Sequence, residues 1–165
     1  MGSYWEPGYL ARHFSRVRER PGWAPQPTGP APALYSRSVA VTVDEVCDFA
    51  RTLPGINEGL VRGYIKFRIK RIVWLSLSPD GSRMGFAFPK YLREALVHSD
   101  PEKFSLPSAS DLRYHWAHVR LAAIDSDEMR ELVEDAWSFC APQRLVDEYL
   151  GAGAVEQPRL PRLPA

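Results

Sequence analysis

Between Tyr64 and Phe88 the chain alternates apolar and polar residues in three successive runs, too closely spaced for helices to fit between them. That stretch constrains the fold more than any other. Ile65, Phe67 and Ile69 alternate with Tyr64, Lys66, Arg68 and Lys70, the period of a strand with one buried face. Ile72–Leu77 is a second run, apolar on both sides. Pro79-Asp80-Gly81 supplies turn chemistry, after which Met84, Phe86 and Phe88 alternate with Arg83, Gly85 and Ala87. Three strands joined without crossover helices imply antiparallel pairing.

Helical signals flank this core. Thr42 and Glu45 have capping-box spacing ahead of the stripe Val43, Val46, Ala50 and Leu53. Pro54-Gly55 stops that helix, and Gly55-Ile56-Asn57-Glu58-Gly59 reads as helix stop and turn. A short helix over about Lys90–His98 ends at Asp100-Pro101, followed by a loop with room for an edge strand near Phe104–Leu106. Tyr114–Leu121 reads as a strand. Asp125 and Glu128 again have capping-box spacing, opening a helix with Met129, Leu132, Val133 and Ala136 inside. Pro142 ends it, and Arg144–Leu150 forms a last helix closed by Gly151. The order α-β-β-β-α-β-α-α gives an α+β fold. We expect an antiparallel sheet of four or five strands with helices packed on one side.

Composition divides the chain. Residues 1–38 hold six prolines and five arginines against two glutamates, with no lysine or aspartate. Such a segment is expected to be mostly disordered, with a short helix over about Tyr9–Arg20 as the exception. It reads either as a basic arm that touches a partner or as a leader extension from an early start codon, with the real start near Val39–Val43. Residues 39–150, the presumptive folded domain, carry fourteen Lys and Arg against seventeen Asp and Glu. That balance opposes nucleic-acid binding by bulk charge and requires basic residues to gather on one face. Residues 151–165 read as a flexible tail. Cys47 and Cys140 fit no ligand spacing and read as small buried hydrophobes. No stretch has the apolar length a bilayer requires, so a cytoplasmic protein is expected.

If Ala117, Val119 and Leu121 face the core, the opposite face of the sheet carries Tyr64, Lys66, Arg68, Lys70, Arg83, Tyr114, Trp116, His118 and Arg120, with Trp74 able to join them. Cations with interleaved aromatic rings suit single-stranded nucleic acid, because charges follow phosphates while rings stack on bases. The same alternation also describes an ordinary solvated face. His115 and His118, three apart on a strand, point to opposite faces and cannot chelate together. No metal motif, P-loop, GxSxG or strand-linked GxGxxG occurs, so no cofactor, metal site or catalytic activity is expected.

Several motifs in order resemble the MmcQ/YjbR family over about Val41 to Leu150. They are Leu53-Pro54-Gly55 with Glu58, Lys66-Phe67-Arg68-Ile69 with Lys70, Phe88-Pro89-Lys90, Asp111–Trp116 with Val119-Arg120-Leu121, and Leu132, Ala136-Trp137 and Ala141-Pro142. Two departures stand out. Ile69-Lys70-Arg71 replaces a family glycine, so a different hairpin turn is expected, and Ala136-Trp137 replaces a frequent Ser-Tyr pair. The resemblance implies an α+β fold of the CyaY-like or secretion-chaperone-like kind and a DNA-binding role. Iron, suggested by frataxin-type folds, is not carried over: the first helix offers only Asp44, Glu45 and Asp48.

Two functional expectations follow. In the first, Lys66, Arg68, Arg83 and Arg120 contact the phosphates of DNA or another nucleic acid and Trp116, Tyr114 and Trp74 stack, with Arg113 and Lys90 as flanking contacts. In the second, Trp116, His115 and Trp74 line a pocket for a protein or small ligand.

Overall fold

The computed structural model describes residues 40–154. The expectations for residues 1–38 and for the end of the tail lie outside the described residues. Six strands form one antiparallel sheet: β1 (Ile56–Val61), β2 (Tyr64–Ile69), β3 (Ile72–Leu77), β4 (Arg83–Ala87), β5 (Phe104–Ser105) and β6 (Trp116–Arg120), in the spatial order β1-β2-β3-β4-β6-β5. Among the described residues the sheet is joined by four α-helices, α1 (Val43–Arg51), α2 (Arg93–Ser99), α3 (Ser126–Cys140) and α4 (Gln143–Ala154), in an α+β fold.

β1 corrects the sequence expectation of a turn there. Asn57, Glu58 and Gly59 dilute its apolar pattern, so only tertiary contacts reveal it. Arg62 and Gly63 both take positive φ, 53° and 82°, as a two-residue hairpin turn requires if its twist is to match its strands. Glu58 then reaches back to α1, accepting from Arg51 at 2.8 and 2.9 Å. The β2–β3 hairpin does differ in its turn, with Lys70 at φ 54° where glycine is at home.

The caps form as the spacing predicts. Thr42 and Glu45 make a reciprocal capping box, and Asp125 accepts from the Glu128 N–H at the start of α3. α4 runs past Gly151 to Ala154 rather than stopping at it, since a glycine near a helix end costs only about 1 kcal/mol relative to alanine.

One face of the sheet makes the core. Phe67, Leu75, Leu77, Met84, Phe86, Ala117 and Val119 meet Val46 and Ala50 of α1 and Met129, Val133, Ala136 and Trp137 of α3. The Ala136-Trp137 pair is thus structural: the Trp137 N–H donates to the Pro54 carbonyl at 3.0 Å, and its ring meets Tyr149 edge-on at 5.1 Å. Trp74 belongs to this side too. The β2–β3 register passes from Phe67↔Leu75 to Arg68↔Val73, leaving Trp74 as the extra residue of a β-bulge. Its ring is fully buried, 6.1 Å from Phe67, which removes it from the outer face where the sequence allowed it.

Candidate nucleic-acid interface

The cross-strand register settles what the helix-free face carries. Lys66 opposes Ser76, Ser76 opposes Gly85, and Gly85 opposes His118, so these share one row. Arg83 opposes Arg120 in the neighbouring row, and Ala87 opposes Trp116 in the other. Asn57 pairs with Arg68, and Val61 with Tyr64, which places all four on the same face. The strands therefore put Lys66, Arg68, Arg83 and Arg120 on this face and no carboxylate.

The acids lie elsewhere. α1 carries Asp44, Glu45 and Asp48, and α2 carries Glu94. α3 with its cap carries Asp125, Asp127, Glu128, Glu131, Glu134 and Asp135, and α4 carries Asp147 and Glu148. These are twelve of the seventeen acids between residues 39 and 150. Glu58 also faces the helices, in its pair with Arg51. The remaining four, Asp80, Asp100, Glu102 and Asp111, sit outside the helices and strands, with Asp80 near Arg83 and Asp111 near His118.

Trp116 is built into the open face. A Cβ on Gly85 would fall 2.8 Å from its Cζ2 and Nε1 and 2.9 Å from its Cε2, so the indole lies across a position only glycine leaves empty. Its N–H donates to His118 Nε2 at 3.2 Å, which requires a neutral imidazole carrying its proton on Nδ1. Burial holds the His118 pKa below its ordinary value, and the Arg83 cation adds to this while Asp111, from the preceding loop, opposes it. The ring stays partly buried, fixed along the edge that meets His118.

His115 faces the other way. It sits 5.6 Å from Phe139 of α3 and accepts from the Lys90 backbone N–H at 3.2 Å. Burial, then the Lys90 and Arg93 charges, lower its pKa as well. The two histidines do point to opposite faces. Trp116, His115 and Trp74 therefore do not converge, and the pocket expected from them does not form.

Tyr114 and Arg113 precede β6 rather than lying in it, because the strand starts at Trp116 and not at Tyr114. Both are exposed, with the Arg113 guanidinium 4.7 Å from the Tyr114 ring centroid. Arg93 holds this loop. The residue is 7% exposed, and its guanidinium donates to the carbonyls of Tyr114 (3.2 Å), Trp116 (3.1 Å) and Leu112 (3.0 Å). Its inward place is legible in the spacing, since Arg93 shares a helical stripe with the apolar Leu96 and Val97. Gly85 has no such sign, since its need for space depends on a residue 31 positions away.

Among the described residues no group of three His, Cys, Asp or Glu side chains is placed to hold a metal ion, and no helix is long and apolar enough to cross a membrane. Cys47 and Cys140 are free thiols, both raised in pKa by burial, Cys140 to about 12.

Fold and site together define an α+β domain with an acidic helical side and, on the other side of its sheet, strands that carry cations and no carboxylate. The model of the YjbR family matches residues 51–139, more than half of the chain, and the protein belongs to that family. A Deinococcus radiodurans protein, DR2400, whose crystal structure carries the domain DUF419, is similar in fold. Its TM-score is 0.56 at 17% identity, over 68% of this chain and 89% of that one. No curated protein matches the chain.

Proposed function

We propose that the open sheet face binds single-stranded nucleic acid, with DNA the form to test first, and that the protein acts by binding rather than by catalysis. The observation that carries the reading is the partition of charge: four cations and no carboxylate from the strands, beside an anchored, half-exposed Trp116. The phosphates follow Lys66, Arg68, Arg83 and Arg120, and a base stacks on the indole. A single strand fits better than a duplex. Six strands about 4.8 Å apart make a face about 24 Å wide, too broad for a major groove about 12 Å across. Arg113 and Tyr114, in the loop that leads into β6, serve as flanking contacts.

Fluorescence anisotropy of a labelled single-stranded DNA titrated with the full chain tests this. Four phosphate contacts predict a log–log salt slope of about −3. The variant with Lys66, Arg68, Arg83 and Arg120 all changed to Ala should lose both the affinity and the slope. Binding that survives in that variant, or no binding at low salt, refutes the reading.

A further inference from the structure

Arg83 and Arg120 are directly opposite each other across β4 and β6. Like charges in that relation destabilise a sheet, and no ion pair relieves either one among the described residues. Arg120 makes one long bond, Nη1 to the Glu102 carbonyl at 3.4 Å. Asp80, the acid of the adjoining turn, is occupied. It accepts from the hydroxyls of Ser78 and Ser82 and from the Ser82 N–H, and Arg83 is the least of the influences on it.

Both arginines line a hollow of about 610 Å³. Its other walls come from Ala40, Val41, Gly81, Ser82, Leu121 and Ala122. Ser82 offers little to a ligand, since its hydroxyl donates to Asp80 and its carbonyl accepts from the Leu121 N–H. The polar groups left to a ligand are two guanidiniums, planar forks matched to phosphate oxygens.

We propose that this hollow is an anion site for a dianionic phosphate monoester, held between Arg83 and Arg120. A monoester carries close to two negative charges at neutral pH, against one on an internal phosphodiester. Two unpaired cations in register favour the former. Resting on the function proposed above, the ligand is the phosphorylated end of a nucleic-acid strand. Lys66 and Arg68, two strands away on β2, meet internal phosphates instead.

The test has two arms on the full chain. In the first, anisotropy compares one single-stranded DNA without a terminal phosphate, with a 5′ phosphate and with a 3′ phosphate. In the second, inorganic phosphate is titrated by calorimetry. One phosphorylated end should bind roughly ten-fold tighter, the scale of a charge-assisted hydrogen bond. Arg83→Gln with Arg120→Gln should erase that preference and the phosphate heat. Lys66→Gln with Arg68→Gln should weaken all three oligonucleotides alike and leave the preference. Melting curves of the Arg83→Gln and Arg120→Gln variants should be unchanged or raised, because a like-charge pair is removed. Oligonucleotides that bind equally with and without a terminal phosphate, with no phosphate heat, overturn the anion site and leave the sheet-face reading standing. Arginine-dependent phosphate heat without DNA binding does the reverse: the site stands and its nucleic-acid ligand falls.

Discussion

The two faces of one sheet solve opposite problems with the same strands. On the helical side the large side chains pack or pair: Trp137 is tied to Pro54 and Tyr149, Trp74 packs on Phe67, and Glu58 pairs with Arg51. On the other side the cations stand beside serine, glycine and one another, and the single tryptophan is pinned by an edge instead of being buried. The first arrangement is what a stable core needs. The second includes an opposed Arg83–Arg120 pair that folding alone does not require. Net charge hides this: most of the acids sit on the helices, so a domain that is slightly acidic in sum presents a basic sheet.

Substitutions should separate the faces by size of effect. Trp137→Ala removes a fully buried ring and should cost about 3–5 kcal/mol in denaturant unfolding. Arg93→Met strips three loop carbonyls of a charged donor and should cost about 1.5–3 kcal/mol. It should also broaden the amide resonances of Leu112–Trp116, linking the helical side to the geometry of the open one. Gly85→Ala drives a methyl into the Trp116 indole and should cost about 1–3 kcal/mol, together with the Trp116–His118 hydrogen bond in the indole spectrum.

A pH series sharpens the contrast further. The His118 pKa is depressed in the folded protein, so its contribution to stability is complete above the ordinary value of about 6.5. It is lost as pH falls through that value and then the lower folded one, because the unfolded chain binds the proton first. His118→Gln should flatten part of that acid limb in melting experiments, while His115, neutral on the helical side for the same reason, keeps the rest. The smallest effect belongs to Lys66→Ala and Arg68→Ala, each within about 0.5 kcal/mol on stability, although both should lower DNA affinity. A large loss of stability there would mean that these cations serve the fold.

Much of this was legible in the sequence because it depends on local rules. The capping box at Thr42, the N-cap at Asp125 and the alternation of β2, β3 and β4 need only near neighbours. So does the assignment of Lys66, Arg68, Arg83, Trp116 and Arg120 to one face. What the sequence concealed is long-range. β1 is held by a hairpin with Arg62 at positive φ and by a pair with α1, neither of which leaves an apolar period. One bulge residue decides the side on which Trp74 lies, and alternation carries no sign of it. Tyr114 resembled a strand residue in composition, yet the Arg93 bonds hold Leu112–His115 as a loop. The asymmetry between acidic helices and basic strands appeared only when register and layer were combined.

The tryptophans offer the most direct measurement, since they sample separate parts of the chain: Trp74 and Trp137 in the core, Trp116 on the open face, and Trp5 and Trp23 in residues 1–38. Indole 15N–1H spectra of the full chain should be recorded while unlabelled single-stranded DNA is added. The Trp116 resonance should shift to saturation while those of Trp74 and Trp137 hold still. A stationary Trp116, with the response confined to Trp5 and Trp23 or to the core indoles, would contradict it.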